Sequence, residues 1–321
     1  HLAEVYEAKK GVELRFIAVG TGQALEIASH GEADGVLVHA PVLEAKFLAE
    51  GHGACRKIIA YNFFIIVGPP DDPAGIRGCD SPTEAFKRIA DAGRAGKAIW
   101  VSRGDMSGTH VRELQIWNAT AREFGDVYDI HEHGDEWVSQ GWYREAGAGM
   151  GATLRMANEL GAYTLVDTGT YARYRQEGLV ELVPLVEKGR ELLNVYSAIA
   201  TNPEKHPGVD FEGFLELIKF LVSEEGQELF AEYKIGGEPA FYPAVRVLKE
   251  NVEPIASWIR EVAFIDGEEC PRQYRLGHEE LYQDCPGTIG LSLYRVLQAL
   301  SLIHISEPTR PRLISYAVFC L

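Results

Sequence analysis

Ser102-Arg103-Gly104-Asp105-Met106-Ser107-Gly108-Thr109 is the stretch on which the reading of this chain turns. The apolar, β-prone run Ala98-Ile99-Trp100-Val101 precedes it, and Val111, Leu114, Ile116 and Trp117 follow at helical spacing. The octapeptide therefore reads as a turn from a strand into a helix, with Ser107 or Thr109 as N-cap. The first N–H groups of a helix have no partner within it. Beside two hydroxyls and the forked guanidinium of Arg103, they make a set of donors suited to an oxyanion. An ordinary capped connection is the plainer reading of the same residues.

Two further segments repeat the pattern. Phe16-Ile17-Ala18-Val19-Gly20-Thr21-Gly22-Gln23 runs from a strand into a glycine turn, and Ala24, Leu25, Ile27 and Ala28 continue it as a helix. Thr21 between two glycines lets backbone and hydroxyl approach a ligand closely. Gly147-Ala148-Gly149-Met150-Gly151-Ala152-Thr153-Leu154 is a glycine-rich entry to a helix at 154–160, with Gly149 and Met150 at its mouth. None of the three carries the lysine of a nucleotide P-loop. Together they point to a small anion rather than a nucleotide.

With 321 residues, 46% of them hydrophobic and 24% charged, the composition is that of a soluble globular chain of one large or two medium domains. A net charge of −16 argues against nucleic acid or an anionic membrane as partner. Distant surface charge is screened, so it does not oppose anion binding by local dipoles. No run of apolar residues is long enough to span a bilayer. No Ser/His/Asp set, clustered carboxylate pair or cofactor motif stands out, so a non-enzymatic, cofactor-free binder is expected. His131-Glu132-His133-Gly134-Asp135-Glu136 reads as a solvated insertion loop rather than a metal site. Of five cysteines, Cys270 and Cys285 could close a small loop in an oxidising compartment, but unpaired thiols are the preferred reading.

Strands are expected at 36–38, 58–67, 98–101, 163–166 and 182–186, and helices at 42–49, 82–92, 154–160 and 170–176. That alternation predicts an α/β fold with mainly parallel sheet, and ligands of such sheets bind beyond the strand C-termini. All three glycine turns fall there. Val67-Gly68-Pro69-Pro70-Asp71-Asp72-Pro73 and Asn194-Val195-Tyr196-Ser197-Ala198-Ile199-Ala200 read as crossings between two lobes. One lobe is then 1–67 plus 195–243 and the other 68–194, with a cleft between them. Residues 1–9 look like the end of a helix already under way. Residues 244–299 are expected to form a helical extension, with an amphipathic helix at 252–264 and an apolar one at 287–300. Residues 300–321 open with Leu300-Ser301-Leu302-Ile303-His304-Ile305-Ser306-Glu307-Pro308-Thr309-Arg310, which reads as a translated sequencing-library adapter and is set aside.

Several stretches carry a family resemblance: 17–26 (IAVGTGQALE), 36–41 (VLVHAP), 61–73 (YNFFIIVGPPDDP), 101–110, 142–158 (WYREAGAGMGATLRMAN), 161–171 (GAYTLVDTGTY), 194–206 and 220–230 (FLVSEEGQELF). Together they resemble the tungstate-binding proteins of ABC importers, within the periplasmic oxyanion-binding proteins. The resemblance implies a type II bilobed α/β fold: two lobes joined by two crossover segments, with a ligand cleft between them. It implies a monomeric receptor, periplasmic or extracellular, held near the membrane by its permease partner or a lipid anchor. Arg103, Ser107, Gly108 and Thr109 match the spacing by which related phosphate binders hold their anion, and Thr21 matches a hydroxyl donor on the other lobe. His39 stands where those binders carry an aspartate that accepts the proton of hydrogenphosphate. Its presence favours a proton-free dianion such as tungstate, molybdate or sulfate over phosphate. A structural histidine is the alternative for His39. Family members carry a Thr/Ser-rich segment upstream of the part represented by His1, so this chain is expected to be a fragment. The effector domain of a transcription regulator is the competing reading of the fold.

Overall fold

Hydrophobic strands alternate with capped helices along the computed structural model of the chain, which describes residues 2–187, 189–265, 270–277 and 317–319. The first elements are α1 (Leu2–Lys10), β1 (Phe16–Ala18), α2 (Thr21–Ser29), β2 (Gly35–Val38), α3 (Pro41–Ala49) and the long β3 (Gly53–Gly68). Then come α4 (Pro82–Arg94), β4 (Trp100–Ser102), α5 (Gly108–Phe124), α6 (Ile130–Ser139), β5 (Tyr143–Glu145), α7 (Met150–Leu160), β6 (Thr164–Asp167), α8 (Thr168–Gln176) and β7 (Val183–Val186). The chain continues through β8 (Leu193–Thr201), α9 (Phe211–Val222), α10 (Glu224–Glu232), β9 (Lys234–Ile235), β10 (Glu238–Pro239) and β11 (Tyr242–Pro243). Last are α11 (Ala244–Glu250), α12 (Ile255–Ala263) and β12 (Ala317–Phe319).

The chain divides into two units. The first holds His1–Tyr61, Val195–Tyr233 and the described residues from Phe241 on; the second holds Asn62–Asn194 and Lys234–Ala240. The division falls within β3 and β8, so β3 changes unit at Tyr61–Asn62, ahead of the Gly68-Pro69-Pro70 stretch read as the crossing.

In the first unit the sheet runs β1, β12, β2, β8, β3, β11. β12 is parallel to both β1 and β2, with Val318 opposite Ile17 on one side and Val36 on the other. Residues from Leu300 on were set aside as foreign to the fold, yet the backbone of these three occupies a sheet position. The physical reason is that β1 and β2 lie one strand apart, and each edge needs backbone partners. β8 runs antiparallel to β2, pairing Gly35 with Ala200. α9 packs Phe214, Leu215, Ile218 and Leu221 against the sheet residues Ile59, Ala198 and Ala200, together with Tyr6 of α1. Gly35 makes this approach possible, because a β-carbon there would lie 2.3 Å from the Phe214 ring.

The extension packs on the same unit. Val245 of α11 joins the core, and Ile265 beyond α12 packs on Val42 and Ala45 of α3. Cys270 is bonded to Cys55 of β3, with Cα atoms 4.2 Å apart, and Cys79 is free. This corrects the preference for unpaired thiols: folding back of the extension joins residues 215 positions apart, a pairing invisible to local spacing. Cys285 and the apolar stretch at 287–300 lie outside the described residues. A crosslink over so long a loop stabilises by about 3–5 kcal/mol in the chain-entropy picture. Reduction, or Cys55→Ser, should lower the urea midpoint accordingly; an unchanged midpoint would mean the bond does not form in solution.

In the second unit β4 pairs parallel with β5, Trp100 opposite Tyr143, and Trp100 also forms a parallel bridge to Tyr163 just before β6. Phe64–Val67 of β3 run antiparallel to β6 and β7. The chain is therefore mixed rather than mainly parallel, because β8 runs against β2, and β3 against β6, β7 and β11. An aromatic core of Phe86, Trp100, Trp117, Trp137, Trp142 and Tyr143 fills the unit. Two local expectations need correction. The 131–136 segment is not a solvated loop but part of α6, whose N-terminus is capped by Asp129 and whose Trp137 is buried in that core. The 220–230 stretch, which the family resemblance implies is one closing helix, is broken at Ser223, whose hydroxyl accepts from Gly226 N–H and starts α10.

Candidate oxyanion-binding site

Because β4 and β5 run parallel and adjacent, the loops leaving their C-terminal ends open at one edge of the second unit. Ala146 N–H donates to the Ser102 carbonyl at 2.9 Å, which ties the two loops together. Gly104 sits at φ +62° with the Glu145 side chain 2.9 Å from where a β-carbon would be, so backbone and space both require glycine. Met106 also lies in the left-handed region at φ 54°, where its N–H donates to His110 Nδ1 at 3.0 Å. Asp105 organises the loop: Oδ1 accepts from Ser107 N–H at 3.1 Å and Oδ2 from Arg103 Nη2 at 2.5 Å.

Ser107, not Thr109, is the N-cap of α5. Its hydroxyl accepts from His110 N–H at 3.3 Å, and its carbonyl from Val111 N–H at 2.8 Å. The N–H groups of Gly108 and Thr109 are left without an intrahelical partner. In the loop that precedes them, the Arg103 side chain is 14% exposed, and its Nε is buried with no hydrogen-bond partner among the described residues. A buried donor without an acceptor is costly to the fold.

One residue missed in the sequence holds α5 in place. Glu113 Oε1 accepts from Trp100 Nε1 at 2.8 Å, Tyr143 Oη at 2.7 Å and Trp117 Nε1 at 3.4 Å. One buried carboxyl thereby joins β4, β5 and α5. Burial pushes Glu113 up, against the pull of His110 and its hydrogen bonds. The available signal was its position three and four residues before Ile116 and Trp117, on the apolar face of the helix. Arg112 is also buried; burial brings its guanidinium down to about 10, opposed by Glu191.

The second loop opens on α7, whose N-cap is Gly149 without a side-chain cap. Its glycines have different roles. Gly151 is a packing residue, since a β-carbon there would lie 1.7 Å from the Tyr174 hydroxyl. Gly149 has ordinary φ, −61°, and open space around a would-be β-carbon. Met150 packs in the core with Leu154 and Val166, so its side chain is turned inward and only its backbone N–H belongs to the helix end. The α8 terminus is closed by Asp167, which accepts from Thr170 N–H at 2.8 Å.

In the first unit, Thr21 follows β1 and His39 follows β2, two strands of one parallel set. Thr21 is the fully buried first residue of α2, after a glycine N-cap that offers no side chain. His39 is half-buried and stacks on Tyr196 with ring centroids 4.9 Å apart. Directly behind it, Ala40 N–H donates to Glu44 Oε1 at 2.8 Å, and Glu44 Oε2 holds the fully buried Arg56 at 2.8 Å. Burial pushes the Glu44 carboxyl up, with Arg56 pulling against it. This anchored helix start carried no signal in the sequence. The second unit thus gathers Arg103, Ser107, Gly108 and Thr109 in one loop with Gly149 and Met150 in the next, while Thr21 and His39 share a sheet edge of the first. Among the described residues no three His, Cys, Asp or Glu side chains cluster to hold a metal ion.

The architecture and the donor loops define a ligand-binding protein of the periplasmic type, and the chain belongs to the PBP superfamily, whose domain matches residues 1–225. It is 41% identical over 253 residues to a putative ABC transporter anion-binding protein of Haloferax volcanii, covering 78% of this chain and 68% of that protein. It is 38% identical over 248 residues to the tungstate-binding protein TupA of Peptoclostridium acidaminophilum, covering 76% of this chain and 79% of that one. Among solved structures, the tungstate-binding protein TupA of Desulfovibrio alaskensis G20 matches with a TM-score of 0.62 and 36% identity, over 75% of this chain and 91% of that one. The fold is the type II α/β fold of solute-binding proteins, as the resemblance implied. No helix among the described residues is long and apolar enough to cross a membrane.

Proposed function

We propose that this chain is the solute-binding component of an ABC importer, that its ligand is tungstate, and that it delivers the ion to a membrane permease without catalysing a reaction. The observation that carries the reading is the buried, unpartnered Arg103 Nε in the loop that leads into α5, whose first residues Gly108 and Thr109 have N–H groups with no partner within the helix. Donors in that arrangement suit a small dianion, and charge-assisted bonds to it are the strong ones. The TupA relatives support tungstate as that dianion. In this reading Gly149 and the Met150 N–H, in the neighbouring loop of the same unit, add to the ligand's surroundings. His39 in place of a proton-accepting carboxylate favours an ion that carries no proton. The protein acts as a monomer outside the cytoplasm and does not engage nucleic acid, in keeping with its acidic charge and its disulfide.

Calorimetric titration with tungstate, molybdate, sulfate and phosphate tests this. Tungstate should bind most tightly, molybdate next and phosphate least; a preference for phosphate would refute the reading. Gly149→Ala should unfold within about 0.5 kcal/mol of wild type, since neither φ nor space requires glycine there. It should nevertheless weaken tungstate about tenfold, or about 1.4 kcal/mol, by setting a methyl at the mouth of α7. Unaltered affinity would remove Gly149 from the site.

A further inference from the structure

Away from the anion-binding loops, the first unit carries a pair of imidazoles whose geometry the proposed transport role does not use. His52 lies in the turn after α3, and His206 in the loop between β8 and α9. Their ring planes lie 15° apart with centroids 5.7 Å apart, and His52 Nδ1 lies 3.4 Å from His206 Nε2, so the rings meet end to end. The pair is held by backbone rather than chance: Asn202 N–H donates to the His52 carbonyl at 2.8 Å, and His206 N–H to the Asn202 carbonyl at 2.9 Å. Asn202 Nδ2 also donates to the Gly51 carbonyl at 2.9 Å, and the Phe47 ring stacks on His52 with centroids 5.7 Å apart.

We propose that His52 Nδ1 and His206 Nε2 form a two-imidazole site for a borderline divalent transition-metal ion, Zn²⁺ or Cu²⁺, bound in place of the proton they share. Imidazole nitrogens bind Zn²⁺ at about 2.0–2.1 Å, which sets the edge of a tetrahedral site at about 3.3–3.4 Å. The two nitrogens already stand at that separation, facing one another across a hydrogen bond. A metal needs the neutral imidazole. No third protein ligand is at hand among the described residues, so water fills the other positions and the site is weak and exchangeable.

The proton balance assigns a role to Lys205. Its Nζ lies 3.1 Å from His52 Nε2 and 2.9 Å from the Glu50 carbonyl. As the ammonium donates to Nε2, the His52 proton sits on Nδ1. Binding at Nδ1 moves that proton to Nε2, and Lys205 keeps only its bond to Glu50. Lys205 therefore opposes the metal both by its charge and through the tautomer it favours.

Zn²⁺ and Cu²⁺ titrated into the intact protein at pH 7.5, free of tungstate and chelating buffer, test the site by calorimetry and thermal shift. Dissociation constants of tens of micromolar are expected, with a midpoint that rises with metal concentration. His52→Ala and His206→Ala should each abolish binding while leaving tungstate affinity and circular dichroism unchanged. Lys205→Gln should tighten the metal several-fold, and the double variant His131→Ala/His133→Ala should leave it unaltered. No metal-dependent change, binding that survives His52→Ala, or binding lost only in the His131/His133 variant would overturn the site, without bearing on tungstate.

Discussion

Arg103→Ala is expected to lower tungstate affinity by about 100-fold or more and to leave stability almost untouched. Truncating one member of a charge-assisted contact in a desolvated site costs about 2–5 kcal/mol, and each 1.4 kcal/mol is tenfold in affinity. The fold needs Arg103 for little: among the described residues its one side-chain bond is to Asp105, and its buried Nε has no partner. Loss of binding should thus be separable from loss of folding. Arg103→Lys keeps the charge and discards the planar fork, so it should fall between wild type and alanine. Asp105 is the positioning residue of this pair. Calorimetry on variants matched by their unfolding midpoints decides the matter, and an alanine variant within threefold of wild type would exclude Arg103.

The largest stability effect is expected at Glu113. Glu113→Ala deprives two indole N–H groups and the Tyr143 hydroxyl of their acceptor inside an aromatic core, and leaves a cavity. Each orphaned donor costs about 1–3 kcal/mol, so a total near 4–5 kcal/mol is expected, read as a large fall in urea midpoint. Glu113→Gln keeps an acceptor oxygen and the volume, and should lose far less. Its behaviour with pH has a definite sign. Burial raises the Glu113 carboxyl in the folded state, so folding favours the protonated acid. The wild-type contribution is complete below the ordinary carboxyl value, about 4.3, and declines as pH rises towards the raised folded value. Glutamine imitates the protonated acid at every pH and should gain on wild type as pH rises through that window. A difference that does not vary with pH would contradict the assignment.

What could be read from the chain follows from how local each feature is. The turn at Ser102–Thr109 was legible because strand pattern, glycine, cap and helix pattern lie within twenty residues, and Ser107 needed only its own helix to become the cap. Strands 36–38 and 163–166 were legible for the same reason. Features made by chain return were not. Cys55 finds Cys270 only after the extension folds back, and Glu44 finds Arg56 only once α3 lies against β3. The 131–136 run misled because its charges mask a helix whose one buried anchor, Trp137, lies just beyond it. Glycine was the most ambiguous letter: at Gly104 it answers to backbone and space, at Gly151 to a tyrosine, and at Gly149 to neither.

Tungsten scatters anomalously, so a difference map from crystals grown with tungstate locates the ion without reference to the protein atoms. The account predicts a single strong peak within hydrogen-bonding reach, through the oxygens, of the Arg103 guanidinium and the Gly108 and Thr109 N–H groups. A peak elsewhere, or none at saturating tungstate, would contradict it.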